Sequence, residues 1–338
     1  MDRGKTRITV AGTGAFGLTI AWSLARAGFR VSIFDPAQTN ASSVAAGMLA
    51  PVFETILEAD VDGHFPLLMA ARDLWPALAG QLGIDLDRRG AIAVGDPEFL
   101  ARVSLGISQL GMWCESLARS DLDAAVPGLS PSFQEGQLTQ EDWRLEPVSA
   151  MSSLRKAAKA AGVDFHRGPA TGLEGGDKLV IATGAGRDLI SIAPQLKVLS
   201  PIKGQILRSM GQGFEGVLRL PAGYCVGGSG TLAVGATMEP GLSDLTPTSG
   251  ARSRLEALAR QAFPRGAADF QAQVGVRAAT PDGLPMIGRT EDPHVFLAVG
   301  ARRNGWLLAP LAAQIITACL TEGEVGPYGP LLDPMRFI

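Results

Sequence analysis

The stretch 7–35 constrains this chain more than any other. Arg7-Ile8-Thr9-Val10-Ala11 is a β-branched, apolar run that leads straight into Gly12-Thr13-Gly14-Ala15-Phe16-Gly17, a complete G-x-G-x-x-G. Beyond it Leu18, Trp22 and Leu24 interleave with small residues, Gly28 sits where a helix stops, and Val31-Ser32-Ile33-Phe34 reads as a second strand. Strand, helix and strand make a βαβ unit. Gly12 permits the tight turn, Gly14 lets a pyrophosphate approach the backbone, and Gly17 lets helix and strand pack closely. Ala15 and Phe16 open the helix, whose unpaired N–H groups and positive dipole end favour an anion. Asp35 ends the second strand, where a carboxylate accepts hydrogen bonds from a ribose diol and disfavours a 2′-phosphate. These residues predict a dinucleotide site and leave NAD and FAD both open.

A chain of 338 residues has room for about two domains. Its net charge of −3, with Lys and Arg scattered, forms no basic stripe, which argues against nucleic acid as a partner. Cys114, Cys225 and Cys319 are odd in number and far apart, so reduced thiols, a cytoplasmic setting and no metal cluster are expected. His64, His166 and His294 are dispersed without ligand spacing, and no metal is expected. Residues 1–6 are polar and too few for a signal peptide. The uncharged stretch 304–321 contains Gly305, Pro310 and Gln314, and its helix, 310–320, is too short for a bilayer. It reads as a buried helix, with no membrane partner.

Between these landmarks the chain alternates. Residues 42–51 (Ser42-Ser43-Val44-Ala45-Ala46-Gly47-Met48-Leu49-Ala50-Pro51) have almost no side-chain bulk; they suit a tightly packed small-residue helix or a backbone lying against a cofactor, equally. The spacing of Leu67, Leu68, Ala71, Leu74, Trp75, Leu78 and Leu82 predicts a helix over 65–83, kinked at Pro76. Strand 91–94, helix 98–110, a capped turn at 120–123, a crossing near 142–147, helix 149–161 and strand 163–165 follow. Leu179-Val180-Ile181-Ala182-Thr183-Gly184 reads as a buried parallel strand whose carboxyl end reaches a ligand crevice. Short strands at 203–208, 224–226 and 232–237, split by Gly-rich turns, then predict an antiparallel sheet, followed by an amphipathic helix over 248–263. Residues 274–288 link back to a last strand, 295–300, and the final helix. The N-terminal fold is left and re-entered, so the domains are discontinuous.

With these pieces in order, the chain resembles the D-amino-acid oxidase superfamily of flavoenzymes, and within it the glycine oxidases of the thiamine pathway. The resemblance rests on Gly12 to Gly17 with Asp35, Ser43-Val44-Ala45-Ala46-Gly47-Met48-Leu49, Leu145-Glu146-Pro147, Pro201-Ile202-Lys203-Gly204-Gln205, Val234-Gly235-Ala236-Thr237-Met238, Gly275-Val276-Arg277 with Asp282-Gly283, and Arg303-Asn304-Gly305-Trp306-Leu307-Leu308-Ala309-Pro310. It implies an α/β (α+β overall) fold: a Rossmann-type FAD-binding domain over 1–80, 145–195 and 275–338, and a mainly antiparallel substrate domain over 81–144 and 196–274. It implies non-covalent FAD, held by Gly12, Gly14, Ala15, Phe16, Gly17, Asp35, Ser42, Ser43, Ala46, Gly47, Met48, Ala170, Thr183, Gly184, Asn304, Gly305, Trp306 and Leu307, with Arg277 and Arg303 beside the flavin. Tyr224 matches the tyrosine beside the substrate carboxylate, Met238 a substrate-side methionine, Arg277 the carboxylate-binding arginine and Arg303 the arginine of the terminal signature. A guanidinium grips a carboxylate by two parallel hydrogen bonds, although most single arginines are solvated surface charges.

The implied reaction is FAD-dependent oxidation of a small amino acid or secondary amine, glycine or sarcosine first. Hydride goes to the flavin, the imine hydrolyses, and oxygen is reduced to peroxide; a homo-oligomer is compatible. A flavin dehydrogenase with another acceptor and a non-catalytic flavoprotein are the alternatives. The chain departs from the family pattern in three places: Gly227-Gly228 after Tyr224-Cys225-Val226 where Pro-Arg is common, Ala278 where Pro is usual, and Gly300-Ala301-Arg302 where Gly-His is frequent. All three bear on the substrate more than on the cofactor. The segment 169–177, where the family covers the adenine, is shortened. Asp282-Gly283 reads as a turn and Cys319 as a packing residue.

Overall fold

The computed structural model describes residues 5–57, 64–210, 214–228, 230–265 and 269–337; most of the polar stretch 1–6 lies outside them. One sheet has six strands in the order Met286–Arg289, Val295–Val299, Lys178–Ile181, Arg7–Ala11, Arg30–Asp35 and Asp164–Arg167. All neighbours are parallel except Met286–Arg289 against Val295–Val299. The central strands are apolar because both faces are covered. Ile8 and Val10 join a core with Leu18, Ile20 and Leu24 of the helix Ala15–Arg26 and Ile315 and Ile316 of the helix Ala309–Thr321. Ala11, Leu179 and Ile181 face the other way, onto Leu189, Leu196 and Leu199. In the helix Ala309–Thr321 nine of the thirteen residues are buried, Cys319 included, which fits its lack of charge. Among the described residues no helix is long and apolar enough to cross a membrane.

The second sheet has nine strands. Its path is Glu239–Pro240, Ser200–Met210, Thr231–Gly235, Gly223–Gly228, Gly216–Leu220, Ala91–Ala93, Glu135–Thr139 and Glu115–Ala118, with Gln271–Ala279 also pairing Ser200–Met210. Every pairing is antiparallel except Gly216–Leu220 with Ala91–Ala93. The helix Ser249–Ala262 packs on one face through Leu255 and Leu258. The opposite face brings Ile206, Tyr224 and Val226 against Val44, Ala46 and Phe53, and so turns toward the carboxyl ends of the six-stranded sheet. A small sheet of Met48–Leu49, Trp143–Leu145 and Leu86–Asp87 braces the junction.

Several elements differ from the sequence reading. The stretch 65–83 is two helices, Phe65–Asp73 and Trp75–Leu82, because Pro76 lacks the N–H a continuous helix would use. Residues 120–123 lie in a helix, Arg119–Ala125, not a turn. The boundary expected at 275 falls inside the strand Gln271–Ala279, which keeps nine registered pairs, from Ser200 with Ala279 to Arg208 with Gln271. Gly275 and Arg277 break its apolar alternation, so it read as a link. Gly216–Leu220 is a further strand, hidden in the sequence because Arg219 interrupts an otherwise apolar stretch.

Candidate cofactor and substrate site

The glycine turn is shaped by contact as well as by backbone angle. Gly12 has φ +108°, and a Cβ there would strike the Ala182 carbonyl oxygen. A Cβ on Gly17 would strike the Gly12 carbonyl oxygen, and one on Gly14 would lie 3.3 Å from Ser42 Oγ. Gly14 caps the helix Ala15–Arg26 without a side-chain hydrogen bond, so the helix presents its opening N–H groups to this turn. Ala15 N–H donates to Ser42 Oγ (3.0 Å), while Phe16 is buried in the core. Gly12, Gly14 and Gly17 put no Cβ on the turn and a helix end faces it, the features a pyrophosphate site needs.

Asp35 closes the neighbouring strand. It accepts from Ala37 N–H (2.8 Å) and from Arg155 Nη2 (2.7 Å). Burial raises its pKa, but the Arg155 guanidinium and the hydrogen bonds from Ala37 and Thr13 outweigh it, holding the carboxyl below the usual range. An ionised acceptor beside the glycine turn suits a ribose diol.

The small-residue run contains a short, tightly packed helix, the first of the two forms the sequence allowed. A one-turn helix, Ala41–Val44, starts at Asn40, whose Oδ1 accepts from Ser43 N–H (3.0 Å). It places the Ser42 hydroxyl over the glycine turn, and Trp306 Nε1 donates to Ser42 O (2.9 Å) from the far end of the chain. Ala46 is buried, Gly47 has φ +81° with the Leu145 carbonyl where a Cβ would stand, and Met48 opens a short strand. Arg208 of the antiparallel sheet donates to the Val44 and Ala45 carbonyls (3.1 and 2.7 Å), tying sheet to loop. Thr183 follows the strand Lys178–Ile181, donates to Gly186 O (2.9 Å) and lies against Gly12; Gly184 beside it has φ +62°. Ala170 is buried with Ala11 and Ile181. Asn304 and Gly305 turn the chain toward the last helix, with Leu307 fully buried and Trp306 packed near Trp75. The glycine turn, the 42–48 loop, 183–184 and 304–307 therefore converge at one end of the parallel sheet.

The expected substrate-side residues meet nearby. Arg277 is partly buried; its Nη1 donates to Thr237 O (3.2 Å) and lies 3.1 Å from Met238 Sδ. Desolvation lowers its pKa, Arg303 and Arg302 add to that, and Tyr224 and Glu54 oppose it. Among the described residues no carboxylate comes within 4.0 Å of it. Tyr224 is buried and lies over Gly235, whose Cβ would be 2.7 Å from the phenol oxygen. A cavity of about 390 Å³ is lined by Tyr224, Met238, Arg303, Arg219, Phe99 and Arg102 among others.

Sequence reasoning missed what lies behind this cavity. Arg303 Nη2 lies 3.2 Å from Glu54 Oε1, and Arg219 Nη2 lies 3.8 Å from the same oxygen. The Arg219 guanidinium sits 5.5 Å from the Phe53 ring centre and 5.9 Å from that of Tyr224. Asp142, fully buried, accepts from Val52 N–H (2.8 Å) and Phe53 N–H (3.0 Å) at the start of the helix Pro51–Leu57. Desolvation pushes its carboxyl up to about 7 against those donors and Arg219. The available signals were lone charges in apolar runs: Glu54 after Val52-Phe53, and Arg219 between Leu218 and Leu220. The departure at Gly227-Gly228 also has a cause: Cβ atoms there would strike the Phe214 carbonyl and sit 2.6 Å from Arg144 Nη2, whose guanidinium pairs with Asp87. Among the described residues no cluster of His, Cys, Asp or Glu could hold a metal ion. His166 instead stacks on Phe34, and Asp282 forms a turn pinned by Arg336.

Residues 7–319 match the family model described as FAD dependent oxidoreductase. The chain belongs to that family. Its cofactor is FAD, and the cradle just described fits it. The glycine oxidase of Bacillus licheniformis is 28% identical, over 94% of this chain and 93% of its own length. The putative thiamine biosynthesis oxidoreductase ThiO of Rhizobium etli is 31% identical, over 94% and 97%. Among solved structures, glycine oxidase from Geobacillus kaustophilus superposes with a TM-score of 0.86 at 26% identity, covering 99% of this chain and all of that one.

Proposed function

We propose that this FAD-dependent oxidoreductase oxidises a small amino acid or secondary amine, glycine or sarcosine first, to an imine that water hydrolyses to a keto acid or aldehyde. The observation that carries the reading is Arg277, a partly buried guanidinium with no carboxylate within 4.0 Å among the described residues, against Met238 and within electrostatic reach of Tyr224. Glycine oxidase as the activity of several relatives supports it. In this reading Gly12, Gly14, Gly17, the loop 42–48, Thr183, Gly184 and residues 304–307 hold the cofactor, and Asp35 takes the ribose diol. Bound FAD supplies the two-electron acceptor for the substrate hydride and returns the electrons to molecular oxygen as hydrogen peroxide.

The chain supplies orientation. Arg277 grips the substrate carboxylate by two parallel hydrogen bonds, Tyr224 offers its hydroxyl to the same group, and the Met238 thioether packs on the substrate. Holding the carboxylate fixes the direction of the Cα–H bond, and an amine bound neutral needs no strong general base. Glu54 holds Arg303 at the cavity wall. The division into domains follows the two sheets, with the strand Gln271–Ala279 assigned to the substrate side. The three free thiols support a reducing, cytoplasmic setting.

Oxygen uptake and peroxide release, measured over a panel of glycine, sarcosine, larger amino acids and matched amines, test the proposal. Stoichiometric peroxide with the smallest acids is expected. Turnover that runs only with an added electron acceptor would make the enzyme a dehydrogenase, and no turnover with any amine by either route would remove the reading.

A further inference from the structure

The Arg277 guanidinium owes its place to residues that do not touch a substrate. Arg277 is the register partner of Ile202, yet its side chain leans along the sheet to lie over Gly204, the partner of Gly275. A Cβ at 204 would stand 2.6 Å from Arg277 Cζ and 2.7 Å from Nη2, and closer still to Nη1. Gly204 thus leaves a flat place on the sheet, which the guanidinium fills, while its partner Gly275 lies against Ala41 and Val44.

The other side is braced by Thr237, whose carbonyl accepts from Arg277 Nη1 (3.2 Å). That carbonyl belongs to a closed network. Thr237 N–H donates to Gln205 O (3.1 Å), Gln205 N–H donates to Thr237 Oγ1 (2.9 Å), and the Thr237 hydroxyl donates to Glu239 Oε1 (2.6 Å). The Gln205 amide nitrogen donates to Glu239 Oε1 (2.7 Å) and Thr248 Oγ1 (3.0 Å), and its oxygen accepts from Thr248 N–H (2.8 Å). Gln205 is almost wholly buried, so each polar atom it loses has no water to turn to. Consecutive residues of one strand therefore supply the floor on one face, through Gly204, and the brace on the other, through Gln205.

We propose that Gly204 and Thr237 are positioning residues that aim the carboxylate-binding guanidinium of Arg277, an inference that rests on the reading of Arg277 given above. The obstacle a Cβ at 204 would meet is the tip of a long side chain and not backbone, so an added methyl moves the guanidinium and spares the sheet. A misplacement of about 1 Å at a binding group costs roughly tenfold to a hundredfold in catalysis.

The test uses purified holoenzyme with bound FAD and the variants Gly204→Ala, Thr237→Val, Thr237→Ser and Arg277→Ala. Each is assayed on an amino acid and its decarboxylated amine, and acetate is titrated against the flavin absorption for a Kd that needs no turnover. Expected for Gly204→Ala are an unchanged Tm and flavin content, an acetate Kd and amino-acid KM raised about tenfold or more, and an unchanged kcat/KM for the amine. Thr237→Val should move the same quantities, and Thr237→Ser, which keeps the hydroxyl, should restore them. Adding Gly204→Ala to Arg277→Ala should cost nothing more, since both act on one group. Equal losses on acid and amine, no loss, additive losses, or unfolding of Gly204→Ala would each overturn the proposal. If Arg277→Ala itself keeps the acid preference, the carboxylate-anchor reading fails; if it erases that preference and neither Gly204→Ala nor Thr237→Val does, only the positioning role fails.

Discussion

Replacing Arg277 by alanine removes the group on which substrate orientation depends. The guanidinium makes only a carbonyl and a thioether contact within the described residues, so a bound carboxylate would be its one anionic partner. Each charge-assisted hydrogen bond contributes about 1.5–3 kcal/mol, and partial exposure favours the lower end, giving about 3 kcal/mol for the pair. At about 1.4 kcal/mol per decade that is roughly a 150-fold fall in kcat/KM. Lysine restores charge without the fork, so Arg277→Lys should lose roughly tenfold. FAD content should stay unchanged in both, because the glycine turn and its loop are untouched. The assay is steady-state kinetics on an amino acid and on the matching amine lacking its carboxylate. Arg277→Ala should erase the preference for the acid and leave the amine almost unaffected. Equal depression of both substrates, or of neither, would refute the assignment and turn attention to Arg303.

Two further outcomes follow from the surrounding structure. Asp142 holds a proton in the folded state up to about pH 7 and releases it near 3.8 when exposed. Its contribution therefore falls as pH rises between those values and levels above about 7. Asp142→Asn should flatten that slope in a series of Tm measurements, at a baseline cost of about 1 kcal/mol for the N–H that then faces the amide NH2; an unchanged slope would contradict the assignment. Gly12→Ala combines left-handed backbone with a backbone collision and should lose bound FAD on purification, at a strain of about 1–3 kcal/mol. Gly162→Ala, with φ +87° and no neighbour within 4 Å after the helix Pro147–Ala160, should keep its FAD, and similar flavin loss in both would show that steric closeness at residue 12 is not the cause.

How much of this was legible in the chain divides along physical lines. The βαβ unit was readable because local sterics dictate it: the glycines mark where no Cβ fits, and Asp35 follows its strand at once. The buried last helix was equally plain, since Ala309–Thr321 carries no charge on any face. Glu54, Arg219 and Asp142 were not, because their partners lie far apart in sequence and meet only when the two sheets face each other. Gln271–Ala279 is hard to see in the sequence because Gly275 and Arg277 interrupt the alternation that marks a strand. The family resemblance chose FAD over NAD, which a glycine turn alone cannot do.

If this flavoprotein takes a hydride from a small amine-bearing acid held by Arg277, anaerobic mixing of the purified holoenzyme with glycine or sarcosine should reduce the flavin. Rapid loss of the flavin's visible absorption, saturable in substrate, is the result expected, with the loss slowed at subsaturating substrate in Arg277→Ala. A flavin that stays oxidised with every small amino acid and amine tried would rule out hydride transfer from such substrates.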